Sequence, residues 1–83
     1  MEMDRIDDLS KYQTLVFLTK GKERIDNSID TISKVCCDIK MDIKKGKENS
    51  LEKDYGRLIC EVLYLGSNIG LDAEASFCKY MNM

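Results

Sequence analysis

Apolar residues recur at steps of three and four along most of this chain, which is the spacing of one face of an α-helix. The pattern predicts a first helix over about Asp4–Lys20 and a second over about Lys22–Lys45, which Gly46 ends. The second helix carries the most regular stripe, which falls within about one third of the helix circumference. Its members are Ile25, Ile29, Ile32, Val35, Cys36, Ile39 and Ile43.

Two further helices are predicted in the second half of the chain. The third spans about Ser50–Ser67, with Asn49 or Ser50 as its cap and Gly70 after its end. Its predicted buried face consists of Leu51, Tyr55, Leu58, Ile59, Val62 and Leu65. The fourth helix begins after Asp72, a good N-cap residue. It places on one side Ala73, Phe77, Tyr80 and Met81.

The predicted fold class is therefore all-α, a small bundle of about four helices in one domain over residues 1–83. Because the connections are short, neighbouring helices are expected to run antiparallel. The chain has 83 residues, 43% of them apolar and 34% charged, and this mixture suits amphipathic helices. A chain this short buries a limited core, so we expect a homo-oligomer, a dimer or a tetramer, to cover the remaining apolar stripe.

The charge and the cysteine content limit the kinds of ligand and partner that the sequence predicts. The net charge of −2 gives no basic footprint for nucleic acid, and no apolar run approaches a membrane span. The four cysteines form no C-x-x-C pair and the chain has no histidine, which disfavours a zinc site. Reduced thiols in a cytoplasm are predicted. The adjacent pair Cys36 and Cys37 suits helix packing, and a redox role stays open.

Acidic residues flank the apolar stripe of the second helix. Asp38 and Asp42 lie one turn apart on one side of it, and Asp26 and Asp30 lie on the other. A third set stacks on one face of the third helix, namely Asp54, Arg57 and Glu61. Carboxylates on two antiparallel helices can converge to hold Mg²⁺ together with a polyphosphate. The alternative is a solvated surface in which the aspartates need no ligand.

Arg57 has three interpretations. It can form an intrahelical ion-pair ladder with Asp54 and Glu61, which would contribute only tenths of a kcal/mol per pair. It can be a fixed cation in the place of a metal ion. It can also face a phosphate, which its planar guanidinium suits. A basic cluster of Lys40, Lys44, Lys45 and Lys47 is either a helix C-terminus or a phosphate attractor.

The order of motifs over residues 35–83 resembles one known family. An acidic amphipathic helix and a Lys/Gly turn precede Glu52-Lys53-Asp54-Tyr55-Gly56-Arg57-Leu58-Ile59, which an apolar run and Asn68-Ile69-Gly70-Leu71-Asp72-Ala73-Glu74-Ala75 follow. This order is similar to that of the MazG-like all-α nucleoside triphosphate pyrophosphohydrolases. The resemblance covers a little over half of the chain, and residues 1–34 match only as helices.

The resemblance implies a helical oligomer that binds Mg²⁺ through an E-x-x-E and an E-x-x-D pair and cleaves a nucleoside triphosphate between the α and β phosphates. Asp54 falls on the Glu of the second pair and Arg57 on its Asp. Asp38 falls on the first Glu of the first pair, and Met41 on the second, with Asp42 beside it. The metal set is thus degenerate, and its candidate acids are Asp38, Asp42, Asp54 and Glu61. Lys79 and Asn82 lie near the place where the family contacts nucleotide.

Three functions remain as expectations. The first is a MazG-like protein that binds a nucleotide or related phosphate ligand through Arg57, Lys79 and Asn82, with hydrolysis weak or lost. The second is an active Mg²⁺-dependent pyrophosphohydrolase that uses the four acids in a shifted arrangement. The third is a non-enzymatic interaction module that binds another protein.

Overall fold

The computed structural model describes the backbone of residues 4–83 and the side chains of residues 8–83. This part of the chain forms four helices: α1 (Asp4–Lys20), α2 (Ile25–Lys45), α3 (Glu48–Ile69) and α4 (Ala73–Met81). The all-α prediction is confirmed, with small shifts of the helix ends. None of these helices combines the length and the apolar character that crossing a bilayer requires.

The helix ends show which local signals decide the boundaries. Gly46 and Gly70 adopt left-handed conformations, with φ of 68° and 80°, and their amides close the last turns of α2 and α3. The Asp72 carboxylate accepts a hydrogen bond of 2.9 Å from the Ala75 amide and caps α4 as predicted. The predicted cap at Asn49 or Ser50 is wrong. α3 begins at Glu48, directly after the Gly46 turn, and has no side-chain cap.

α3 is the central helix, with α2 on one side, α1 on another and α4 packed against α1. α2 and α3 are antiparallel, since Ser28 meets Asn68 near one end and Asp38 meets Arg57 towards the other. The residues along this contact line repeat at steps of seven in both helices. On α2 they are Ser28, Val35 and Asp42, and on α3 they are Asp54, Glu61 and Asn68.

Polar side chains hold the helices together. Gln13 of α1 is buried; its amide donates to the Leu71 and Leu63 carbonyls, at 2.8 and 3.2 Å, and its oxygen accepts from the Ala73 amide at 2.7 Å. A Cβ at Gly66 would stand 2.6 Å from the Gln13 amide nitrogen and 3.1 Å from the Leu71 carbonyl oxygen, so a larger residue here would displace the Gln13 amide from its hydrogen bonds. The core is correspondingly small. Its buried apolar residues, among the described side chains, are Val35, Leu63 and Tyr64.

The predicted buried face of α3 is wrong in part for the single chain: Leu51, Leu58 and Leu65 are half-buried and the other three residues are exposed. Tyr55, Ile59 and Val62 are 60%, 45% and 49% exposed, because α1 and α2 contact α3 from directions that leave this side uncovered. Much of the α2 stripe is also open. We call the exposed set the apolar face. It comprises Ile25, Ile29, Cys36 and Ile43 of α2 with Tyr55, Ile59, Val62 and Ile69 of α3.

Helix geometry puts both halves of the apolar face on the same side of the α2–α3 pair. At about 100° per residue, most exposed residues of each helix lie roughly a quarter turn from its contact line, in the same sense of rotation, and Ile59 is rotated further in that sense, by about 150°. Because the helices are antiparallel, equal senses of rotation lead to one common side. Asp38 and Arg57 are rotated in the opposite sense and lie on the other side of the pair.

Candidate functional site

Four of the predicted site residues meet where α2 and α3 pack. Asp38 and Asp42 lie one turn apart on α2, and Asp54 and Arg57 lie three residues apart on α3. The carboxyl groups of Asp42 and Asp54 are within hydrogen-bonding range of each other. One turn away, the Arg57 guanidinium lies 3.9 Å from the Asp38 carboxylate. We call these four residues the acidic seam.

The electrostatics of the acidic seam centre on Asp42. The hydrogen bond to Asp54 raises the pKa of Asp42 above its usual value, and burial and the charges of Asp54 and Asp38 add to this, while Lys47 opposes it. Asp42 is only 9% exposed, and its buried Oδ2 has no hydrogen-bond partner. A buried carboxylate oxygen without a donor is costly, so this position favours a proton or another cation.

Arg57 does not form the predicted ladder along α3. It pairs across the seam with Asp38, and both side chains remain nearly half exposed. Glu61 instead turns towards α1, where its Oε2 lies 2.6 Å from the Lys20 ammonium. Lys20 also stands over the Tyr64 ring, at 4.3 Å from its centroid, and the Tyr64 hydroxyl donates to the Gly21 carbonyl. These contacts tie Glu61 to the attachment of α1, away from the acidic seam.

Lys79 and Asn82 lie apart from the acidic seam. Both are exposed near the end of α4, where Asn82 takes a left-handed conformation and closes the helix. α4 is fixed to α1, by the Gln13–Ala73 bond and by Ser10, whose hydroxyl donates to Glu74 and Asp72. In the described part of the chain no hydrogen bond or ion pair joins α4 to the seam. The structure therefore does not gather the three predicted phosphate-binding residues.

The metal prediction can be compared with the donors present. Within the described residues, no three Asp, Glu, Cys or His side chains approach closely enough to form a complete metal-binding group. Mg²⁺ commonly needs only one or two protein carboxylates, and takes its remaining ligands from water and phosphate oxygens. Asp42 and Asp54 satisfy that smaller requirement. Met41, which the resemblance places on the second Glu of the first pair, is 46% exposed, and its side chain supplies no oxygen ligand.

A second feature is an apolar groove on the other side of α3, which sequence reasoning assigned to the core. It has a volume of about 500 Å³ and runs between α3, α4 and α1. Its lining includes Leu9, Tyr55, Leu58, Ile59, Val62 and Phe77. The periodicity identified the α3 residues as apolar but could not show that no other part of the chain covers them. The Lys20–Glu61 pair was also missed, since its partners are 41 residues apart and no local pattern links them.

No protein-family model, curated protein or solved structure matches this chain.

Proposed function

We propose that this protein binds a phosphate ligand, a nucleotide or a related compound, together with Mg²⁺ at the acidic seam, and that its hydrolytic activity is weak or lost. The observation that carries the proposal is the buried Asp42 oxygen, which has no donor and lies beside a second carboxylate. The resemblance to the MazG-like pyrophosphohydrolases supports the same ligand class.

The cation requirement follows from charge. Asp38, Asp42 and Asp54 bring three carboxylates to the seam, and Arg57 offers one compensating charge. A phosphate ligand alone would add to the excess of negative charge. A Mg²⁺ ion held by Asp42 and Asp54 neutralises this excess and can bridge to phosphate oxygens.

Arg57 and Lys47 are the groups suited to contact the phosphate itself. The Arg57–Asp38 pair is long, at 3.9 Å, and both side chains are over 40% exposed, so it contributes little and can be exchanged for a phosphate at low cost. The guanidinium fork matches phosphate oxygens in two-point contacts. Lys47 lies close enough to lower the pKa of Asp42, so its charge also reaches the seam.

Hydrolysis needs more than binding. Cleavage of a phosphoanhydride requires metal charge on the phosphates and an activated water, and multi-acid sites supply both. Here Arg57 occupies a position that is acidic in the resembled family, and Glu61 is paired with Lys20. Two carboxylates can anchor one Mg²⁺, but no third is free beside them to activate water.

A thermal-shift experiment tests the proposal. The purified protein would be heated with nucleoside mono-, di- and triphosphates, with Mg²⁺ and with EDTA. We expect stabilisation only when Mg²⁺ and phosphate ligand are both present, by about 2.7 kcal/mol at a hundredfold excess over Kd. Asp42→Asn should abolish the shift, and Asp30→Asn, which removes an exposed acid on the same helix, should leave it intact. A shift that persists in Asp42→Asn, or no shift with any ligand, would contradict the proposal.

The same mixtures, assayed for pyrophosphate, distinguish a binding protein from an active enzyme. Release of pyrophosphate that depends on Mg²⁺ and is lost in Asp54→Ala would identify an active pyrophosphohydrolase. The interaction module is favoured by a different observation, the open apolar face.

A further inference from the structure

The chain exposes more surface than a compact single chain of this size ordinarily does. The accessible surface of the chain is 6380 Å², whereas a folded monomer of 9.5 kDa exposes about 5000 Å². The radius of gyration is 14.0 Å, against about 12 Å for a compact chain of this length. The excess surface is above the roughly 800 Å² per partner that a stable protein–protein interface buries.

We propose that a second copy of this chain covers the apolar face, with the two α2 helices antiparallel around a twofold axis near Cys36. This interface lies on the side of the α2–α3 pair opposite Asp38 and Arg57. It does not rest on the phosphate-binding proposal, and it leaves that side of the seam accessible.

The distribution of apolar residues along α2 supports the position of the axis. Cys36 lies near the middle of α2 and on the exposed stripe. Ile29 and Ile43 lie seven residues before and after it, and they are 48% and 64% exposed. Where two antiparallel helices cross a twofold axis, residues equally far before and after the axis face each other. Ile29 of one copy therefore packs against Ile43 of the other.

The charges at the edge of the stripe are complementary under the same symmetry. Asp26 is in the first turn of α2 and Lys44 in the last. The step of 18 residues from one to the other makes about five full turns, so both side chains lie on one line along the helix. Antiparallel pairing about an axis near Cys36 brings Asp26 of each copy within two residues, about 3 Å along the helix, of Lys44 of the other, an offset that the long lysine side chain spans. Arg24, which pairs with Asp26 at 3.5 Å, is 79% exposed and holds it only weakly.

Tyr55, Ile59 and Val62 extend the contact from α2 onto α3. They border the apolar groove between α3 and α4, so side chains of the second copy can pack into this groove. The result is a core built between two chains, which offsets the small core within each one.

Sedimentation of the wild-type chain over a range of concentrations and cysteine cross-linking test the interface together. One variant keeps only Cys36 (C37S, C60S and C78S), and its matched control replaces all four cysteines by serine and carries Lys34→Cys. Lys34 is exposed, two residues before Cys36 and about 160° around the helix, on the side away from the apolar face. We expect a dimer in sedimentation, and a short bis-maleimide should link the Cys36 chains at least several-fold more than the Lys34→Cys chains. A chain that stays monomeric at every concentration, or equal linking of the two variants, overturns the proposal.

Charge reversal tests the pairing without touching apolar residues, so the helices remain intact. Asp26→Lys and Lys44→Asp should each weaken the dimer by about tenfold, because each change alters two symmetric contacts. The double variant D26K/K44D should recover most of the loss. If the double variant is weaker than either single variant, the helices are not antiparallel. Asp42→Asn should leave the dimer unchanged, which separates failure here from failure of the phosphate-binding proposal.

Discussion

The two sides of the α2–α3 pair differ in how their side chains are satisfied. On the contact line and the acidic side, polar groups meet partners within the chain: Ser28 with Asn68, Asp38 with Arg57, and Glu61 with Lys20. On the other side, large apolar residues face solvent. Hydrogen bonds and ion pairs require defined distances and directions, whereas apolar residues need only a surface that removes them from water. On the polar side the chain therefore satisfies most polar groups internally, with the buried Asp42 Oδ2 and Glu61 Oε1 atoms as exceptions, and on the other side it leaves a large apolar surface exposed.

Replacing one tyrosine on each side tests most directly whether the two sides differ in their contribution to stability. Tyr64→Ala removes a buried ring that donates to Gly21, so we expect a loss of about 4 kcal/mol in the free energy of unfolding. Tyr55→Ala, at a site 60% exposed on the apolar face, should lower unfolding stability far less at low concentration and weaken association instead. Urea titrations followed by circular dichroism, with sedimentation alongside, measure both effects. Equal losses of stability would show that the two sides do not differ.

The Lys20–Glu61 pair tests how strongly the polar side depends on its internal partners, because Glu61 is more buried than Lys20. Lys20→Met leaves the Glu61 carboxylate, with only 8% of its side chain exposed, without a cation, and should cost about 2 kcal/mol. Glu61→Gln leaves Lys20 with 34% of its side chain exposed to water, and should cost less than about 1 kcal/mol. The reverse order in urea denaturation would mean that the pair is fully hydrated.

The smallest expected effect is the pH dependence of Asp42, measured in EDTA so that metal binding does not contribute. Because folding raises the pKa of Asp42, the folded state keeps a proton that the unfolded chain releases above about pH 3.9. Stability should therefore fall as pH rises from there through the raised pKa, and the loss should persist at neutral pH.

Asp42→Asn cannot release that proton and removes the repulsion with Asp54. The variant should be more stable than wild type at pH 7, and little different below about pH 3.9. Thermal unfolding across this pH range measures the difference. A variant that is less stable at pH 7 would show that the Asp42 carboxylate is stabilised by a group other than Asp54.

Helix positions were readable from the sequence, but the direction in which each helix faces was not. Apolar periodicity, Gly46 and Gly70, and the Asp72 cap all act within a few residues, and they predicted four helices. The meeting of Asp42 with Asp54 also follows from two antiparallel helices joined by a short turn. The partner of Glu61 depends on where α1 ends in space. The α3 stripe looked like a core because periodicity identifies an apolar face and carries no information on whether the same chain covers it.

The buried amide of Gln13 has a consequence for the order in which parts of the fold open. α4 has nine residues and no fully buried side chain, and a helix that short is not stable alone in water. Gln13 and Ser10 of α1 fix its first turn, so α4 keeps its shape only while α1 is docked on α3. In native-state hydrogen exchange, the α4 amides should exchange through a local opening of low free energy, before those of α3. Gln13→Ala should speed exchange in α4 while the amides near Val35 and Tyr64 keep their protection.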